Sequence, residues 1–190
     1  MKSAGKARNN GLYRHIRTSK EIIRNLLNDY VKHKMPIYIH LYFGIFVGEN
    51  MELTVKKYDY LCEDDKNIRQ TVFVDEQKFE EEFDDIDDKS IHLVFYDGEK
   101  AVAIGRFYKG EEDGEMRVGR IAVVKEKRKD GVGKIVMKTL EDECKKAGAS
   151  KIVLSAQLRA KGFYEKCGFV AFGETYFEEW CEHIKMFKDI

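Results

Sequence analysis

The chain has 190 residues, room for one domain of ordinary size plus an extension, and its apolar share of 43% supports a packed core and argues against wholesale disorder. The zero formal charge hides an asymmetry. Residues 1–50 carry nine Lys/Arg against three Asp/Glu, a net of +6, and residues 51–190 carry 25 against 31, a net of −6. An acidic body excludes nucleic acid as the expected partner and favours cationic ligands such as amines, where the acids cluster.

In chain order, residues 1–18 read as a loose basic tail. From Ser19, the residues Ile22, Ile23, Leu26, Leu27, Tyr30 and Val31 recur at helical spacing and predict a short amphipathic helix. Met35 to Gly48 is a nearly continuous apolar run, shorter than the ~20 residues of a membrane span. It reads as a buried strand or packing segment, with membrane contact the less favoured alternative. The first 20 residues lack the apolar stretch of a signal peptide. Composition changes at Met51, so residues 1–50 are expected to be a dispensable extension and residues 51–190 the functional domain, with translation from Met51 a live expectation.

Within the domain, Glu52 to Lys57 predicts a strand. Tyr60 to Gln77 predicts a helix with Leu61, Ile68, Val72 and Phe73 on one face. The acidic stretch Glu80 to Asp88 reads first as a solvated, mobile loop and second as a wall that attracts a cationic amine. Ile91–Tyr96 and Ala101–Tyr108 predict a hairpin around Asp97-Gly98, and Met116–Val124 a further strand. A helix is expected from Val132 to about Ala147, with Val132, Ile135, Val136, Leu140, Cys144 and Ala147 buried and Gly148 as its C-terminal cap. Lys151–Ala156 predicts a strand, Arg159–Cys167 a short helix, and Phe169–Phe172 and His183–Phe187 the last strands. The order β-α-β-β-β-α-β-α-β-β is an α/β sheet of mixed direction with helices on its faces. Four widely spaced cysteines, Cys62, Cys144, Cys167 and Cys181, without a C-x-x-C pair, argue against zinc or a disulfide framework. Reduced thiols in a cytoplasmic setting are expected. No metal site is expected either, because Asp84, Asp85, Asp87 and Asp88 lack the EF-hand spacing and glycine.

The chemistry concentrates in Arg128-Lys129-Asp130-Gly131-Val132-Gly133-Lys134, between a strand and a helix. Glycines permit close approach of a ligand, and unpaired N–H groups at a helix N-terminus make an anion site. The Walker pattern fails at Ile135, and Val136 stands where a dinucleotide fingerprint needs its third glycine. The R-x-x-G-x-G pattern directly after a long strand resembles motif A of the GNAT acetyltransferases, and Phe163-Tyr164-Glu165-Lys166-Cys167-Gly168-Phe169 resembles their F-Y-x-x-x-G-F segment. Arg69, Phe73, Glu76 and Gln77, then Asp85 and Asp88, then Glu182-His183-Ile184-Lys185-Met186, are similar to the ElaA-like branch. Lys129 stands where many relatives have Gly.

The resemblance implies a GNAT fold, an α+β mixed, predominantly antiparallel central sheet flanked by helices. It also implies acetyl transfer from acetyl-CoA to a primary amine of a small molecule or peptide, by direct attack in a ternary complex. It places the pyrophosphate on the 128–134 loop and the pantetheine along Ile121, Ala122 and Val123, with the Val123 N–H as oxyanion donor and Gln157 and Phe163 nearby. Tyr164 is the candidate general acid, since a phenol stays protonated at neutral pH. Glu76, His92 and His183 are the general-base candidates, with a relaying water equally admissible. The rival readings are an acyl-homoserine-lactone-synthase-like acyltransferase and a non-catalytic acyl-CoA-binding sensor. The expected partner is a small-molecule amine; homodimer formation and donor acyl length stay open.

Overall fold

The computed structural model describes residues 45–46, 52–80 and 82–190. The expectations for the basic tail, the helix from Ser19 and most of the apolar run fall outside the described residues. Ile45 and Phe46 from that run form a two-residue strand, β1, which pairs antiparallel with the start of β2 (Glu52–Tyr58). The sheet therefore begins before Met51.

The chain continues through β3 (Ile91–Asp97), β4 (Lys100–Lys109), β5 (Glu115–Val123), β6 (Lys151–Gln157), β7 (Val170–Glu178) and β8 (Cys181–Asp189). These form one sheet in the order β1-β2-β3-β4-β5-β6-β8-β7. Every neighbouring pair is antiparallel except β5–β6. The helices are α1 (Glu63–Arg69), α2 (Val132–Lys146) and α3 (Lys161–Lys166). No helix among the described residues is long and apolar enough to cross a membrane.

The predicted helix over 60–77 starts later, at Glu63, and changes pitch. Three acids in its first turn, Glu63, Asp64 and Asp65, suit the positive end of the helix dipole. After Arg69 it widens into a π-helical segment, Gln70–Glu76, a rare form that is frequent at functional sites. Val72 and Phe73 are buried there.

The core lies between the sheet and the helices. Leu93, Phe95, Val102, Ile104, Val136, Leu140, Ile152 and Met186 are among its fully buried members. Gly105 lets α2 approach β4 closely: a Cβ there would sit 2.9 Å from Leu140 Cδ1. The predicted stripe of α2 is buried except at its end, where Ala147 is exposed as the C-terminal cap. Gly148 follows in the left-handed region (φ +87°), as a helix stop requires.

The acidic stretch departs most from its first expectation of a solvated loop. Glu82 and Asp87 are buried and Asp84 is half-buried, while Asp85 and Asp88 face solvent. The alternation follows from three arginines beneath the segment. Arg69, fully buried, donates from Nε to Glu82 Oε1 (2.8 Å), from Nη2 to the Glu82 carbonyl (2.7 Å) and from Nη1 to Asp87 Oδ1 (2.7 Å). Arg106 forks onto Asp84 (2.8 and 2.9 Å) and also donates to Asp87 at 2.5 Å. Arg120 reaches Glu82 Oε1 (2.8 Å), the Glu82 carbonyl and Asp84 Oδ2. The clamp thus straps residues 82–87 to α1, β4 and β5.

Candidate active site

The site grows from a break in sheet pairing. β5 and β6 pair only at Glu115↔Lys151, Met116↔Ile152 and Arg117↔Val153. Beyond Arg117 the strands part, and β6 stays paired to β8 through Gln157↔His183. On its other side β5 carries a bulge: Ile104 pairs with Ala122 and Arg106 with Gly119, so Arg120 and Ile121 stand opposite Gly105 alone. Arg120 takes the strain, with φ +49° in the left-handed region. The Val124 N–H donates to the Val102 carbonyl. By strand alternation next to Val124, Val123 turns its N–H group away from β4, into the opening.

The N-terminus of α2 stands at one end of this opening. Lys129 (φ +77°) and Gly131 (φ +83°) turn the chain left-handed just before the helix, and no side chain caps it. Its first N–H groups are therefore available to an anion. Gly133 packs closely against Phe163: a Cβ there would sit 3.2 Å from the ring. Arg128 is held away from the loop itself: Nε donates to the Val123 carbonyl (2.9 Å) and Nη2 to Glu76 Oε2 (2.7 Å).

A cleft of about 1210 Å³ runs through the opening. Single small-molecule pockets span ~300–1,000 Å³, so it has room for two ligands together. It is lined by Ile121, Ala122 and Val123 of β5 and by Arg128, Lys129, Gly131, Gly133 and Lys134 of the loop. Gln157, Phe163, Tyr164 and His183 also line it. Asp130 and Val132 do not; Val132 is packed in the core.

The candidate catalytic side chains separate clearly. Tyr164 is buried between Phe163 and Phe169, both edge-on to its ring. Burial pushes its phenol above the usual range, so the hydroxyl stays protonated. Among the described residues that hydroxyl has no hydrogen-bond partner, although Tyr164 lines the cleft. His183 is buried on β8 and lines the cleft too. Its Nδ1 lies 3.0 Å from the Cys181 carbonyl, which can only accept, so Nδ1 carries the hydrogen. In the neutral ring, Nε2 is then the free lone pair, 3.8 Å from Glu178 Oε2.

The other two base candidates stand outside the cleft lining. Glu76 is tied to Arg128, whose hydrogen bond and charge hold its carboxyl below the usual range, weakening it as a base. His92 is fully buried, with Nδ1 3.0 Å from Asp65 Oδ2 and Nε2 3.2 Å from the Asp87 carbonyl. Both neighbours are acceptors, so the ring joins the buried charge cluster and has no nitrogen for a ligand. No group of three or more His, Cys, Asp or Glu side chains among the described residues is arranged to hold a metal ion.

Three features of the site escaped sequence reasoning. The clamp uses Asp84 and Asp87, whereas Asp85 and Asp88, which carry the family resemblance, face solvent. Arg120 carries no motif of its own. Glu178 reaches His183 through the β7–β8 hairpin, which sequence spacing does not reveal.

An open β5 edge, a parallel-strand splay and a Gly-turned helix start meet in this one cleft of a GNAT-type fold. The chain belongs to the GNAT family: residues 60–190 match the model for an acetyltransferase (GNAT) domain. It is similar to YjcF of Bacillus subtilis, named as an uncharacterized N-acetyltransferase, with 39% identity over 142 residues, covering 73% of this chain and 100% of YjcF. Among solved structures, Escherichia coli ElaA has a TM-score of 0.65 at 26% identity, over 74% of this chain and 100% of ElaA. An acyl-CoA N-acyltransferase from Pseudomonas aeruginosa has a TM-score of 0.63 at 26% identity, over 73% and 99%. ElaA is therefore one of several similar relatives.

Proposed function

We propose that this chain transfers an acetyl group from acetyl-CoA to a primary amine, by direct attack of the amine within a ternary complex. The observation that carries the reading is the splay between β5 and β6, where an uncapped helix N-terminus, the Val123 amide and a protonated, unpartnered phenol line one cleft. The residues fit the co-substrate. The Gly133 N–H group, with Lys129 and Lys134, would hold the pyrophosphate. The edge of β5 from Ile121 to Val123 would pair with the pantetheine amides.

The reaction forms a bond from the amine nitrogen to the acetyl carbon and breaks the carbon–sulfur bond. The Val123 N–H stabilises the oxygen that gains charge, an effect of roughly 3 kcal/mol for one preorganised donor. His183 Nε2 accepts the proton from the amine. Tyr164 donates one to the departing thiolate, and its raised pKa keeps it in the donor form. Kinship to the ElaA-like branch, and action in the cytoplasm, complete the proposal. The similarity to ElaA supports the first, and four cysteines without a disulfide support the second.

The test is thiol release from acetyl-CoA with a panel of amines, with mass spectrometry of the products. Acetylated amine formed in step with free CoA is expected. CoA binding without product from any amine would leave a non-catalytic acyl-CoA-binding module.

A further inference from the structure

We infer that the acceptor is an amine that also carries a compact oxyanion, a carboxylate or phosphate held by Lys185, a reading that rests on the acetyl-transfer function proposed above. The charge pattern inside the cleft carries it. The overall acidity of the domain points to a cationic acceptor, but the acids that line the cleft are engaged by the protein itself. Glu82 is bonded to Arg69 and Arg120, and Asp84 to Arg106 and Arg120. Further along, Glu115 pairs with Arg117 (3.1 Å) and Glu112 with Lys151 (3.2 Å). Glu179 accepts from the Glu80 N–H.

Apart from Lys129 and Lys134 of the loop, one charge in the lining is left without a protein partner among the described residues. Glu178, about half exposed, stands beside His183 Nε2 and also bonds the Tyr176 hydroxyl. Lys185 is exposed, lines the cleft, and has no ion pair or side-chain hydrogen bond among the described residues. Sheet register fixes their relation. Ser155 pairs with Lys185, which pairs with Phe172; Gln157 pairs with His183, which pairs with Tyr176. These are successive rows on one sheet face. Lys185 and His183 lie two residues apart on β8, ~7 Å along the strand. An amine poised at His183, with Glu178 drawing its cationic form, therefore has the unpaired Lys185 cation within a few bonds' reach. A polyamine would meet Lys185 as a repulsive charge, and a neutral amine would leave it unused.

The probes are amino acids against their primary amides for the carboxylate arm, and aminoethyl phosphate against aminoethanol for the phosphate arm. Each is assayed for acetyl transfer with wild type and Lys185→Met. At least one acid or phosphate is expected to exceed its uncharged partner about tenfold or more in kcat/KM, the scale of one hydrogen bond to a charged group. Lys185→Met should collapse that ratio towards one, chiefly through KM. Equal use of charged and uncharged partners, or a ratio that survives Lys185→Met, overturns the inference while acetyl transfer stands. Calorimetric titration of the same compounds into the CoA complex reads the anion site without turnover. If no amine is acetylated, yet the anionic members bind more tightly and lose that advantage in Lys185→Met, the oxyanion site stands and acetyl transfer falls.

Discussion

The two walls of the cleft are built on opposite principles. The loop wall is made of backbone: left-handed turns at Lys129 and Gly131, an uncapped helix start and the Val123 amide of β5. The other wall is made of charge: residues 82–87 held by Arg69, Arg106 and Arg120 from three different elements. Backbone donors present fixed dipoles to whatever anion arrives. A clamp of paired side chains holds shape and leaves few charges free to recognise anything. The first wall therefore tolerates side-chain change but not bulk, whereas the second tolerates bulk at its exposed positions but not the loss of a partner.

The largest expected effect tests the clamp. Arg69→Met removes a fully buried cation and leaves Glu82 and Asp87 without it. Breaking a buried pair from one side costs about 3–5 kcal/mol, and denaturant titration should show a loss of that size. A loss under about 1 kcal/mol would mean that the network carries little of the fold. Acid sharpens the same contrast. Burial pushes Asp84 and Asp87 up, but the hydrogen bonds and charges of Arg106, with Arg120 or Arg69, outweigh it and hold both below the usual carboxylate range. A depressed pKa contributes stability above the unfolded value, and that stability is lost as pH falls through the folded value. Melting temperature should therefore drop below pH ~4, with a shallower drop in Arg69→Met. An identical acid profile in both proteins counts against the assignment.

The loop wall breaks through bulk and charge. Gly131→Glu puts a carboxylate on a left-handed residue at the helix start. CoA affinity should fall about 100-fold or more, through like-charge repulsion and the strained φ. Unchanged affinity in a folded variant, measured by calorimetry, removes the anion site from this loop. Tyr164→Phe keeps the ring between Phe163 and Phe169 and removes only the donor. Turnover should fall about 100-fold, within the range for general acid catalysis, with CoA affinity nearly constant. Turnover within twofold of wild type makes Tyr164 a packing residue.

The same contrast explains what could be read in advance. Strand order, the helix after Gly131 and the Gly148 cap were legible because each rests on local periodicity or on a glycine that the backbone requires. The glycine turn that precedes α2 was legible for the same reason. The clamp was not: a run of seven acids in nine positions from Glu80 to Asp88 reads as solvated, and only partners 13 to 38 residues away select Glu82, Asp84 and Asp87 for burial. His92 misled for a related reason. An isolated histidine in a strand shows its proton chemistry but not its neighbours, and here both ring nitrogens face acceptors inside the clamp.

The smallest expected effect separates the two jobs of Lys129. Its φ of +77° lies where a side chain costs ~1–2 kcal/mol and glycine costs nothing. Glycine, however, gives the unfolded chain extra freedom worth about 0.4–1 kcal/mol. Lys129→Gly should therefore stabilise the protein by about 0.8 kcal/mol, the difference between the middles of those ranges, or ~2–3 °C in melting temperature. The same change removes a cation that lines the cleft beside the anion site. CoA affinity should fall about two- to fivefold at low salt, the scale of one exposed charge at a helix terminus, and less at high salt. Lys129→Ala is the control. It loses the same charge but keeps a Cβ in the left-handed region, so it should match glycine in weakened CoA binding without the gain in stability. If the glycine variant melts below the alanine variant, strain at this turn is smaller than glycine's extra unfolded-state freedom. If CoA affinity is unchanged in both, the loop holds its anion by backbone alone.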